Sequence, residues 1–114
     1  MHLFRFRSRG RSRAEPRLGP EVVRLQGDLD VRSAAATGRR LVELINTGPD
    51  VLEVDLAEVP HVSPDGCAAL FKALRAARAR GTRLIITHPN DRAQAVMRQI
   101  GLTRALTHRD AGTE

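Results

Sequence analysis

The 114-residue chain has no tryptophan, no tyrosine and only three phenylalanines. It therefore offers no aromatic platform on which nucleic-acid bases could stack. A single cysteine, Cys67, leaves no disulfide within the chain, so stability must come from core burial. A chain of this length buries roughly two-thirds of its unfolded surface, which is enough for a core without staples. No apolar run approaches the ~20 residues of a membrane span, and the basic N-terminus lacks the apolar stretch of a signal peptide. A cytoplasmic protein is expected, with no membrane contact. Phosphate-cradling loops of the G-x-x-x-x-G-K-S/T or G-x-G-x-x-G type are missing, as is G-x-S-x-G. His2, His61, His88 and His108 lack metal-ligand spacing to one another or to Cys67. No enzyme activity, metal or cofactor is expected. Asp28, Asp30, Asp55 and Asp65 fall near strand ends, where carboxylates serve as readily as caps and turn residues as they do as a catalytic pair.

The net charge is +6, but it is unevenly placed. Residues 1–17 hold six arginines against Glu15, which leaves residues 18–114 with only +1 of the total. The folded part is thus nearly neutral, and the basicity belongs to an N-terminal arm. That arm reads either as a solvated segment or as a polyanion-binding tail.

What is present is a regular alternation of strand and helix signals. HLFRFR alternates in a way compatible with a short edge strand, and the stretch that follows it is loop by composition. Glu21–Gln26 reads as a strand ending at Gly27, with Asp28 or Asp30 near the start of a helix from about Val31 to Ile45. Gly38 is expected to weaken that helix. Val51–Leu56 is a buried strand, and Ala57–Val62 is its connection to a second helix. Ser63 suits the N-cap of that helix, Pro64 its first position and Asp65 the positive end of its dipole. Cys67, Leu70, Phe71 and Leu74 then share one helical face; Arg75, Arg78 and Arg80 take the other, and Gly81 stops the helix. On this pattern Cys67 is a core residue rather than a nucleophile. Arg83–His88 is a third strand, whose continuous apolar run suggests that both of its faces are covered. Pro89-Asn90-Asp91 opens another helix, which ends at Gly101; Leu106 is assigned to a short last strand or turn. Strand–helix–strand units at these spacings argue for a largely parallel sheet with covering helices and no second domain.

Several segments together resemble the STAS domain family, which includes bacterial anti-sigma factor antagonists and cytoplasmic domains of anion transporters. They are Val23–Asp30 (VRLQGDLD), Val54-Asp55-Leu56 with Val59, Gly66–Leu70, Arg78–Leu84 and Val96–Leu102. The resemblance spans roughly Glu21 to Leu106. It implies an α/β, STAS-like fold: a small mixed sheet packed with helices mainly on one face, in a single domain over 1–114. Within it, 1–17 is the basic segment, 18–106 the core and 107–114 a polar tail.

The resemblance also implies a function, namely binding an anti-sigma factor with a serine-kinase-type fold so that it releases its sigma factor. The implied contact residues are Asp28, Asp30, Ser63, Pro64, Asp65, Gly66 and Arg75. In partner-switching relatives, the loop before this helix carries Asp-Ser-Ser/Thr-Gly, and the serine after the aspartate is phosphorylated. Here Ser63 stands at the aspartate position, Pro64 at the acceptor position and Asp65 at the Ser/Thr position, while Gly66 matches. Proline has no hydroxyl, so the usual acceptor is lost. Three outcomes stay open: Ser63 accepts phosphate instead, Asp65 supplies a permanent charge, or the module binds constitutively. A homodimer is left open. The reading from a different class is a nucleic-acid-associated protein acting through its arginine arm.

Overall fold

The computed structural model describes residues 3–8 and 19–107 of the chain. The arginine-rich stretch 9–18 and the tail from His108 lie outside the described residues. The strands are β1 (Leu3–Ser8), β2 (Glu21–Gln26), β3 (Val51–Glu58) and β4 (Arg83–Thr87). The helices are α1 (Val31–Asn46), α2 (Pro64–Arg80), α3 (Asp91–Gln99) and α4 (Leu102–Thr107). The four strands form one mixed sheet in the order β1-β2-β3-β4. β1 runs antiparallel to β2, whereas β2, β3 and β4 are parallel to one another. The strand expected in HLFRFR is therefore present, paired from Leu3↔Gln26 to Ser8↔Glu21.

Period-two alternation gives the sheet a dry face and an open one. Val23, Leu25, Leu52, Val54 and Leu84 are buried, and they pack with Leu41 and Ile45 of α1 and Leu70 and Leu74 of α2. Each such side chain contributes roughly 1.5–3 kcal/mol relative to exposure. Gly38 is buried where the two helices cross; a Cβ there would lie 3.6 Å from the Ala69 Cα and 3.2 Å from the Lys72 Cδ. A Cβ would therefore fit there after a small shift of the Lys72 side chain.

Two expectations need correction. The continuous apolar run of β4 is not covered on both faces, because Leu84 is buried while Ile85 is 38% exposed. Leu106 lies in a helix, α4, rather than in a strand or turn. Gly101 has a left-handed φ of 88°, which breaks the path of α3 and lets a new helix start with Leu102 fully buried. Arg78 Nη2 donates to the Ala105 carbonyl at 2.8 Å and ties α4 to α2.

The open face carries polar pairs that cross the strands. Thr87 Oγ1 donates to Glu53 Oε2 at 2.8 Å, and Gln26 donates to Glu58. Near the end of β3 the parallel register slips, from Arg24↔Asp55 to Gln26↔Glu58. Asp55 holds this irregularity by accepting the Ala57 N–H at 2.9 Å, so β3 extends to Glu58, beyond its expected end.

Candidate functional site

The candidate site is the end of the domain where α1 and α2 begin. The GDLD segment leaves β2 through Gly27, whose φ of 93° is open to glycine at little cost. Asp30 then caps α1, with Oδ1 accepting the N–H groups of Arg32 at 3.0 Å and Ser33 at 3.3 Å. Ser33 Oγ lies 3.1 Å from the Asp30 N–H and accepts from it, which completes a capping box. Ser63 caps α2, its Oγ accepting the Gly66 N–H at 3.0 Å. Pro64 sits at the first helical position, and Asp65 lies exposed in the first turn beside the positive end of the helix dipole.

Backbone bonds lash the two connections together. Gly27 N–H donates to the Glu58 carbonyl at 3.1 Å, Leu29 N–H to His61 at 2.9 Å and Ser63 N–H to Leu29 at 2.9 Å. Leu29 and Val62 also form an isolated parallel bridge, with both side chains buried. The turn carrying Asp28 and Asp30 is thereby fixed against the loop carrying Ser63, Pro64 and Asp65. Asn90, the N-cap of α3, adds a further tie by donating Nδ2 to the Pro60 carbonyl at 3.0 Å.

The sequence-predicted residues divide by what they do here. Asp28, Pro64 and Asp65 are exposed at this end, and Asp30 and Ser63 are half-buried because their side chains are capping. Gly66, expected among the contact residues, is buried: a Cβ on it would meet the Leu29 carbonyl oxygen at 2.0 Å. Its role is to let α2 start against the Leu29 backbone. Arg75 lies on the exposed side of α2 and has no side-chain partner among the described residues. Sequence reasoning placed His61 in the contact loop but not its pairing with Asp28, whose Oδ1 lies 3.1 Å from His61 Nδ1 on the surface; it missed Val31, which is 67% exposed beside Asp30.

Asp55 lies apart from this cluster. Arg24 Nε donates to its Oδ2 at 3.3 Å, and His88 Nδ1 lies 3.2 Å from its Oδ1. Burial alone pushes this carboxyl up. The Ala57 N–H, His88 and Arg24 together outweigh burial and hold it below its ordinary value. His88 has a φ of 59°, a left-handed conformation uncommon outside glycine. Cys67 is fully buried, and burial pushes its thiol up to about 11. It is held as a neutral core group. Among the described residues, no three His, Cys, Asp or Glu side chains gather where they could hold a metal. Among the described residues no helix is long and apolar enough to cross a membrane.

The family model described as "Mlab, STAS domain" matches residues 14–108, most of the chain. The chain belongs to the STAS domain family. Solved structures agree on the fold. The anti-sigma factor antagonist SpoIIAA in its unphosphorylated form is similar with a TM-score of 0.70 at 17% identity, over 98% of this chain and 99% of that one. An anti-sigma factor antagonist from Mycobacterium paratuberculosis has a TM-score of 0.70 at 17% identity, over 92% of this chain and 82% of that one. A sulfate transporter family protein from Wolinella succinogenes has a TM-score of 0.67 at 23% identity, over 76% of this chain and 70% of that one. No curated protein matches the chain significantly. At these identities the structural likeness establishes the STAS fold and not a partner.

Proposed function

We propose that this STAS domain is an anti-sigma factor antagonist-like regulator. It would bind an anti-sigma factor of serine-kinase-type fold through the Gly27–Asp30 turn, the Pro60–Gly66 loop and the exposed side of α2 with Arg75. The observation that carries this reading is the lashing of the two connections through Leu29, which holds Asp28, Pro64 and Asp65 on one fixed surface. The likeness to two antagonist structures over nearly the whole chain supports it. Binding needs no phosphorylation in this reading. Pro64 cannot accept phosphate, Asp65 supplies a permanent negative charge, and the Ser63 hydroxyl is engaged as the α2 cap. The protein acts by occupying its partner, without catalysis.

The test is a pull-down from nuclease-treated lysate of the source organism, with the bound proteins identified and the bait's intact mass recorded. The full chain should retain a kinase-type anti-sigma factor. Asp65→Lys should lose it, and changing Arg9, Arg11, Arg13 and Arg17 together to glutamine, which leaves β1 in place, should not. A one-phosphate mass increment mapped to Ser63 would replace constitutive binding with a displaced switch. Capture of nucleic acid alone, abolished by the four arginine-to-glutamine changes or by moderate salt, would instead favour the arginine-arm reading.

A further inference from the structure

β4 is the last described strand of the sheet, and a groove of about 600 Å³ runs beside it. Arg83, Leu84, Ile85 and Ile86 all line this groove. Successive strand side chains point to opposite faces, so four consecutive residues share one groove only along the backbone edge. The pairing agrees. Arg83 donates its N–H towards β3, to the Asp50 carbonyl at 2.9 Å, and β4 follows β3 from Val51↔Arg83 to Asp55↔Thr87. Alternation then turns the backbone N–H and C=O groups of Leu84 and Ile86 to the other side, where no described strand meets them.

The opposite wall comes from α3 and α4. Met97 and Leu106 give it apolar surface, and Gln94 and Thr103 give it polar groups. Its charge is of one sign. Arg83 and Arg98 both line the groove, both are exposed, and neither has an ion-pair partner among the described residues. No acidic residue is among the described residues lining it.

We propose that this groove docks an extended peptide segment of a partner protein, which adds to β4 as a further strand and presents acidic side chains to Arg83 and Arg98. Main-chain bonds to the free edge would give affinity, and the arginines would select acidic sequences. The five-residue edge spans about 16 Å, the length of a five-residue strand. A second copy of this chain is the poorer occupant, because the groove is lined by arginines and the chain itself carries a net charge of +6. The groove shares no residue with the loop surface proposed to hold the anti-sigma factor, and the two proposals stand or fall separately.

The experiment uses the full-length chain and a fluorescently labelled peptide of alternating valine and glutamate. Two controls are the same peptide with lysine for glutamate and a fully N-methylated version that keeps its charges but has no backbone donors. The acidic peptide should bind, shift the amide resonances of Leu84 and Ile86 and slow their exchange. Both controls, and the variants Arg83→Glu and Arg98→Glu with the acidic peptide, should bind about tenfold or more weakly. Thermal melts of the variants should match the parent. The proposal is overturned if the acidic peptide fails to bind, or if the lysine or N-methylated peptide binds equally well. Perturbation of the groove by decanoate but not by the peptide would identify an amphipathic anion instead. Protection of Leu84 and Ile86 by self-association in the absence of peptide would identify a second copy.

Discussion

Gly66→Ala tests the construction of the loop surface most directly. An alanine Cβ at this position would lie 2.0 Å from the Leu29 carbonyl oxygen, 2.5 Å from its carbon and 3.0 Å from the Asp30 nitrogen. Carbon–oxygen contacts settle near about 3.3 Å, so one backbone must retreat by more than about an ångström. The same oxygen accepts the Ser63 N–H at 2.9 Å, and Leu29 N–H reaches the His61 carbonyl at 2.9 Å. A retreat of that size breaks the first bond and strains the second. Overpacking costs about 1–3 kcal/mol, and a buried group left unpaired about 1–3 kcal/mol more. The better helix propensity of alanine returns at most about 1 kcal/mol. The net loss is about 1–6 kcal/mol, centred near about 3 kcal/mol, out of roughly 5–15 kcal/mol for a whole domain. Gly38→Ala is the matched control. Its Cβ meets only the flexible Lys72 Cδ at 3.2 Å, the Ala69 Cα at 3.6 Å and the Ala69 Cβ at 3.8 Å, so it should be neutral or stabilise by up to about 1 kcal/mol. Urea denaturation followed by circular dichroism reads both, since the chain has no tryptophan to report by fluorescence. Thermal midpoints should fall by about 10 °C or more for Gly66→Ala and not for Gly38→Ala. Equal midpoints for the parent and Gly66→Ala, or equal damage from both glycine changes, would refute the reasoning.

Further outcomes follow from the caps and the buried titratable groups. Ser63→Ala removes the acceptor of the Gly66 N–H and should cost about 1 kcal/mol, with Ser63→Asp retaining most of it; urea midpoints decide. Asp55 has a folded value below its ordinary one, so its contribution is complete above about pH 4 and disappears as pH falls through the folded value. The unfolding free energy of the parent should therefore fall more steeply in acid than that of Asp55→Asn, and parallel pH curves would contradict this. Cys67, with its thiol at about 11 and no exposed surface, should react with iodoacetamide at pH 8 only in step with urea unfolding. Modification that is complete in the native protein would show an opening at the base of α2.

Much of this architecture was legible because its signals are local. Ser63-Pro64-Asp65 announces a helix start through an N-cap, a first-turn proline and a dipole-compatible acid, and α2 begins there. Gly81, in the left-handed conformation, ends α2 where expected. The faces of β4 were not legible, because three consecutive apolar residues carry no period that separates a covered strand from an edge strand beside a groove. The Asp28–His61 and Asp55–His88 pairs each join residues 33 apart, and only the parallel pairing of the strands brings them together. Gly66 was recognisable as a family position, but its physical reason, the Leu29 carbonyl, lies 37 positions away in sequence.

The way the loop surface is built bears on whether it switches. A phospho-switch needs a hydroxyl whose modification adds charge at the binding surface. Here the three residues before Gly66 leave little room for that. Pro64 has no hydroxyl and a preset φ that suits the first helical position, so it also removes backbone freedom from the unbound loop. Asp65 places a carboxylate in the first turn of α2, beside the positive end of its dipole. The ties through Leu29, His61 and Asn90 hold the loop to β2, α1 and α3 before any partner arrives. A surface that is already ordered loses less entropy on binding, and it presents the same face at every encounter. Regulation of such a module would then act through its concentration or its partner's state. Asp65→Ser, which restores a hydroxyl beside the α2 cap but removes the fixed charge, should weaken partner retention rather than make it phosphorylation-dependent, and a pull-down with mass analysis of the bait separates the two.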